Sequence, residues 1–321
     1  MEYFLYSSDL PFSGIQLSYR EINSKEQLIL AKTNILFPMS EENSLDYARI
    51  CKNVISNCVE NKEEFYKLNL LDYILFLTKL RIISIGPELD LQMKSDEDST
   101  ENTIKISIDL NVFMKNLYQA ATEAMSNNFI ESNGIKIILN WPSIKSEKNL
   151  LNKNDKTELE HILSTIPEYI KTIIINENTI HLLEFNTEEK MEIYEKLPIS
   201  LRTQVQMAVI ECIKKLSEKN MFDIPMMEFL KFSFYNKTHQ EIIRLLFSND
   251  LRNIYQEYYV LASKKINPEY VDKLSIPERR VFCSFIEEEI KAREENNKTG
   301  DEMPISDGQT GLQDLIDEFE G

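Results

Sequence analysis

The chain has 321 residues, 42% of them apolar, which is enough to bury a core in one large domain or two ordinary ones and excludes wholesale disorder. Its formal charge is −17 and its Lys and Arg are scattered, so it repels phosphate backbones and nucleic acid is not an expected partner. With 7 glycines it contains neither GxGxxG nor GxxxxGK[ST], the usual backbone cradles for nucleotide phosphates.

The chain opens on two short aromatic and β-branched runs, Glu2–Tyr6 and Ile15–Tyr19, around a turn at Pro11–Gly14; they predict a hairpin. Asn23-Ser24 is an N-cap signal for a helix over Lys25–Leu36, with Leu28, Ile29, Lys32 and Ile35 on one side and Pro38 ending it. Ser44 caps a second helix whose apolar face is Leu45, Ala48, Cys51, Val54, Ile55 and Cys58. Thiols on such a face read as small hydrophobes; a redox or metal pair is the alternative. None of Cys51, Cys58, Cys212 and Cys283 has CxxC spacing, and the chain starts without a basic leader or long apolar run. The expectation is reduced thiols in a cytosolic compartment, neither secreted nor inserted in a membrane.

Leu68–Gln92 is the stretch around which the rest is organised. Leu70, Leu71, Tyr73, Ile74, Leu75, Phe76, Leu77 and Leu80 leave only Asp72, Thr78 and Lys79 as a wet strip, so a buried helix is predicted over 68–80. It is too short to span a bilayer. Arg81 suits the negative end of the helix dipole. Ile82, Ile83, Ile85, Leu89 and Leu91 then read as strand, bent at Gly86-Pro87. Past a polar loop at Lys94–Asn102, Ile104, Ile106, Ile108 and Leu110 alternate with polar residues and complete a hairpin. Asp96-Glu97-Asp98 in that loop lacks calcium-loop spacing and reads as a solvated turn.

A helix follows over Val112–Ala124, then a strand over Gly134–Trp141 closed by Pro142. Tyr169–Asn176 and Thr179–Phe185 predict a second hairpin. From Thr187 the pattern turns helical: a short helix capped at Thr187, then a long one after Pro198 with Leu201, Val205, Ala208, Val209, Cys212, Ile213 and Leu216 inward. Met226–Phe234, His239–Phe247, Leu251–Lys264 and Pro277–Arg293 complete the set. Ser275 caps the last, and its buried side is read as Val281, Phe282, Phe285 and Ile290.

Asn296–Thr310 has the composition of a flexible linker. In the closing GLQDLIDEFEG, Leu312, Leu315, Ile316 and Phe319 fall at i, i+3, i+4 and i+7 against Asp314, Asp317, Glu318 and Glu320. Ten residues are too few for a stable lone helix. The segment either folds back on its own domain or becomes helical in a partner's groove; the polar tether favours partner binding. The expected organisation is α+β: an antiparallel sheet with a buried helix over residues 1–186, a helical part over 187–295, and a linker with an acidic docking tail over 296–321.

No catalytic constellation stands out. His161, His181 and His239 lie outside metal-ligand spacing of each other and of any Cys, and HExxH and GxSxG are absent. Carboxylate runs such as Glu188-Glu189 and Glu287-Glu288-Glu289 read as solvated helix faces. The expectation is no catalytic, cofactor or metal residues and no enzymatic activity; a hydrolase site assembled from scattered residues is the competing view.

Several landmarks in order resemble the baseplate hub proteins of T-even-like contractile-tailed bacteriophages. A strand ending in Tyr19-Arg20 leads into the Lys25-Glu26 helix, which continues Leu28-Ile29-Leu30-Ala31. An amphipathic helix ends in Asn57-Cys58. A pattern of Leu68, Asp72 and Leu80-Arg81 is followed by Ser84-Ile85-Gly86, and a later strand closes in Trp141-Pro142-Ser143. Tyr255–Leu261 and Pro277-Glu278-Arg279 are similar to the family's end. The acidic loop and the tail after Asn296 have no counterpart. The resemblance implies a non-enzymatic protein of the tail baseplate in the virion, assembled in the host cytoplasm. Its partners would be other hub and tail proteins, with the tape measure protein among the candidates. The family includes both a hub subunit and a hub-assembly factor; an acidic chaperone that leaves before maturation is the variant of the second.

Overall fold

The opening hairpin pairs β1 (Tyr6–Leu10) antiparallel with β2 (Ile15–Tyr19) across Pro11–Gly14. Its first strand lies four residues later than the aromatic run at Glu2–Tyr6 suggests, because Ser8 and Leu10 are the positions that alternate inward. The computed structural model describes residues 4–37, 44–94, 103–151, 157–219, 221, 238–248 and 251–299.

Helix α1 (Ser24–Leu36) begins in a capping box: the Asn23 side chain accepts from the Glu26 amide, and the Glu26 carboxylate accepts from the Asn23 amide. The side that carries Leu28, Ile29, Lys32 and Ile35 is the outer one. Ile29, Lys32 and Ile35 are exposed, while Ser24, Glu26, Gln27, Leu30, Ala31 and Thr33 are buried. The inner face is polar because each of its polar residues finds a specific partner there, and a hydrophobic pattern cannot register that.

Helix α2 (Ser44–Ser56) buries Ala48, Cys51, Val54 and Ile55 as expected, together with Tyr47. A one-turn α3 (Lys62–Phe65) precedes α4 (Leu70–Ser84), which is capped by Asn69 and buried nearly all round. The wet strip is dry at two of its three positions. Asp72 and Thr78 are fully enclosed. Asp72 accepts the Ser13 amide, and Thr78 Oγ1 donates to the Ile74 carbonyl. The predicted strand at Ile82–Ile85 is also corrected: α4 runs on through Ser84 and breaks at Gly86, whose φ of +129° only glycine takes easily. Arg81 secures that end by donating to the carbonyls of Gly86 and Glu88.

β3 (Glu88–Lys94) and β4 (Thr103–Asp109) form the expected second hairpin, with Leu89 opposite Ile108. Residues 95–102, with the acidic cluster, lie outside the described residues. Helix α5 (Leu110–Ala124) follows directly, capped by Asp109. The largest sheet is an antiparallel meander of β5 (Phe129–Ser132), β6 (Ile135–Leu139), β7 (Ile170–Ile175) and β8 (Asn178–His181). β5 is an addition to the sequence reading, joined to β6 through Asn133-Gly134, both at positive φ, the residues a tight hairpin turn selects.

Between β6 and β7 the chain makes a 3-10 turn at Ile144–Ser146, then α6 (Glu147–Leu151), α7 (Glu158–Thr165) and a second 3-10 turn at Ile166–Tyr169. After the sheet come α8 (Thr187–Glu195), capped by Asn186 rather than Thr187, and α9 (Ile199–Ser217), whose buried residues are on the predicted face. The expected helix at Met226–Phe234 lies outside the described residues. Then follow α10 (Thr238–Leu246), α11 (Leu251–Ser263), α12 (Pro268–Val271) and α13 (Ile276–Thr299). Ser275 and Glu278 form the predicted capping box of α13. Its buried side differs from the expected one: Val281, Phe285 and Ile290 are exposed, and the buried stripe is Ile276, Arg279, Cys283 and Ile286. Ile276 and Arg279 set that stripe, and Val281, Phe285 and Ile290 fall off it.

The fold is α+β. Met1–Arg279 forms one compact unit and Arg280–Gly321 a second. The core of the first runs from Leu10 to Ile276 and includes residues on both sides of Thr187. No helix among the described residues is long and apolar enough to cross a membrane.

Candidate functional site

The residues that carry the sequence landmarks meet at joints between elements. At the first joint, the Arg20 guanidinium forks onto Glu26 at 2.7 and 2.8 Å and also donates to the Asn57 carbonyl at 3.0 Å. Both side chains of the pair are largely buried. A bidentate fork of this kind fixes direction as well as charge. Here it locks the end of β2, the start of α1 and the end of α2 together. Cys58 lies past the helix end, its Sγ 3.5 Å from the Glu26 carboxylate.

At the second joint the Leu70 amide donates to the Pro142 carbonyl at 2.8 Å, and the Ile144 amide to the Leu68 carbonyl at 3.0 Å. The start of α4 is thereby sewn to the segment Trp141-Pro142-Ser143 just past β6. Trp141 is buried edge-on to Tyr169. At the third, Ser84 Oγ at the end of α4 accepts the Ile22 amide. The fourth is Arg279, buried across Tyr258, donating from Nε to Glu257 and from Nη2 to Gln27 Oε1, each at 2.6 Å.

A fifth joint has no landmark in the sequence. The buried Glu168 carboxylate accepts four hydrogen bonds, from Ser146, Lys190, Thr187 and Asn149. Lys190 is itself buried. Burial alone would raise Glu168, but the Lys190 charge and the bonds from Lys190, Ser146 and Thr187 outweigh it and hold the carboxyl below its ordinary value. The signal was illegible because Glu168 and Lys190 are 22 residues apart.

Asp72 is shifted the other way. Burial raises its pKa, and hydrogen bonds from Ser13 and Phe12 with the nearby Lys79 offset part of that. A raised acid favours the folded state below its unfolded value and loses that advantage as pH rises through the folded value. Wild type is therefore expected to lose stability relative to Asp72→Asn as pH rises from the ordinary carboxylate range through the raised folded value, in paired urea melts.

The histidines lie on three separate elements. His161 is buried in α7 with Nε2 2.7 Å from the Leu150 carbonyl, His181 is exposed on β8, and His239 lies on α10. Among the described residues no three His, Cys, Asp or Glu side chains are grouped to hold a metal ion. All four cysteines are buried and outside any disulfide, and burial pushes Cys51 up to about 12 and Cys212 to about 11, where thiolate chemistry is suppressed. A cleft of about 230 Å³ opens between Pro11-Phe12, the end of α5 and strands β6 and β7; Lys171 is its one charged lining residue. That lining offers no acid–base pair. The proposed partner-binding residues Leu312, Leu315, Ile316 and Phe319 lie outside the described residues.

The model of a family described as T4 bacteriophage base plate protein matches residues 1–225. That span holds the first three joints and the Glu168 cluster; Arg279 and the tail lie beyond it. No curated protein and no solved structure matches the chain.

Proposed function

The chain belongs to the T4 bacteriophage base plate protein family, and from that premise we propose that it builds or helps to assemble the central hub of the baseplate, through protein–protein contacts and without catalysis. The family match over 1–225 carries the reading. The use of the landmark residues supports it. Arg20, Glu26, Arg81 and Ser84 serve the fold's own joints, so what remains for function is the outer surface and the tail. On this reading the partners are other hub and tail proteins, with the tape measure protein among them. The site of assembly is the host cytoplasm and the final location is the virion tail.

The acidic C-terminal segment is the proposed docking element. Leu315→Asp with Phe319→Asp is expected to weaken recovery of tail proteins from infected cells at least tenfold without moving the melting temperature. An earlier melt would show instead that the segment packs on its own fold. A pull-down with the wild-type chain that recovers no tail protein overturns the hub reading. Mass spectrometry of purified virions then separates a resident hub subunit, which is present, from a transient acidic assembly chaperone, which is absent.

A further inference from the structure

Helices α1 and α11 run antiparallel. Asn34, late in α1, donates to the Phe247 carbonyl just ahead of α11, and Ser24, early in α1, donates to the Leu274 carbonyl beyond it. Lys32 lies over the Tyr255 ring, 5.7 Å from its centroid. Because the helices are antiparallel, one turn on along α11 and one turn back along α1 sets Tyr259 level with Ile29, and the opposite step sets Arg252 level with Ile35. The outer face of the pair is therefore a ladder of aliphatic, aromatic and basic side chains. Tyr259 is 71% exposed and Ile35 61%.

The charge on this face is unlike that of the chain. The protein carries 53 Asp and Glu, yet among the described residues of α1 and α11 no exposed position is a carboxylate. Glu26 is buried against Arg20, and Glu257 is engaged by Arg279. Lys25, Lys32 and Arg252 supply cations beside the apolar ladder. An apolar strip flanked by cations matches an amphipathic helix whose polar side is acidic. The segment Leu312–Phe319 has that chemistry, with four apolar positions at helical spacing and Asp314, Asp317 and Glu318 on the other side.

We infer that the α1/α11 face of one molecule receives the acidic C-terminal segment of a second copy. The inference rests on the reading of that segment as a docking element and names its receptor. Receptor and segment are different patches of one chain, so the contact is heterologous and passes from copy to copy. Between two copies of charge −17, this approach sets no exposed carboxylate of α1 or α11 against the acidic segment.

The test uses the full chain bearing Leu315→Asp and Phe319→Asp, so that its own tail does not compete, titrated against a fluorescein-labelled synthetic peptide of residues 308–321. Saturable binding is expected, weakened at least tenfold by Ile29→Asp with Tyr259→Asp and weakened as salt rises from 50 to 500 mM. Light scattering of the wild-type chain is expected to show mass rising with concentration, and Ile29→Asp with Tyr259→Asp abolishes the rise while leaving the melting temperature unchanged. Absent binding, binding indifferent to the face substitutions, or a wild-type chain that stays monomeric at every concentration overturns the inference. If the peptide fails here but still captures another baseplate protein, the docking reading of the segment stands and only this receptor falls.

Discussion

Glu168→Ala is expected to cost about 3–5 kcal/mol of folding stability, because it strands a buried ammonium. The Lys190 side chain is 7% exposed and its partner 1%, so little water can replace the carboxylate. The loss goes beyond one ion pair. Ser146, Thr187 and Asn149 all donate to Glu168, and three polar side chains lose an acceptor at once. Through that carboxylate the turn before α6, the turn before β7 and the first turn of α8 are held together. Adding Lys190→Met is expected to recover part of the loss, since methionine keeps the aliphatic packing and removes the charge.

The pH dependence has a fixed sign. Glu168 is held below its unfolded value of about 4.5, so its contribution is complete above that value and disappears as pH falls through the folded value. In urea melts the gap between wild type and Glu168→Ala should be full at pH 7 and narrow as pH falls below 4.5 through the lowered folded value. A variant that matches wild type at pH 7 would show that the cluster is not a joint.

What could be read from the sequence followed the physics of each element. Helix α4 was legible because eight apolar residues in eleven leave no other place for it than the interior. Asn23 and Ser275 were legible as start signals because capping is local. The inner face of α1 was not. Its buried Glu26 and Gln27 answer to Arg20 and Arg279, and the second of those is 252 residues away. A pattern that counts apolar residues assigns Ile29 and Ile35 to the core; in the fold they face outward and become the candidate receptor. The error at α13 has the same origin, since a buried arginine sets its inner stripe. β5 was missed although Asn133-Gly134 announces a tight hairpin, because its four residues are half polar. The proposed docking segment rests on the helical spacing of Leu312, Leu315, Ile316 and Phe319 and on the polar tether before them, and lies outside the described residues.

Phe76→Ala is expected to destabilise the protein by about 3–5 kcal/mol, the range for emptying a large buried aromatic site. Phe76 is fully enclosed at the middle of α4. Its ring meets Tyr19 of β2 edge-on at 5.0 Å and Phe65 of α3 at 6.0 Å, so the cavity opens where the hairpin, α3 and α4 converge. Such rings are anchored elsewhere: Tyr19 belongs to the strand that feeds the Arg20–Glu26 fork, and Phe65 also meets Tyr73 edge-on at 5.8 Å. Partial collapse into the hole is therefore restricted, and the cost belongs at the upper end of the range. Leu36→Ala, on a side chain 71% exposed, is the control and should change stability by less than about 0.5 kcal/mol. The contrast separates two ways a baseplate protein can fail. A core variant such as Phe76→Ala should lose binding of the 308–321 peptide only in proportion to the fraction unfolded, and cooling should restore it. A surface variant such as Ile29→Asp should lose binding while fully folded. If Phe76→Ala were as stable as wild type, α4 would not be the element on which the other joints depend.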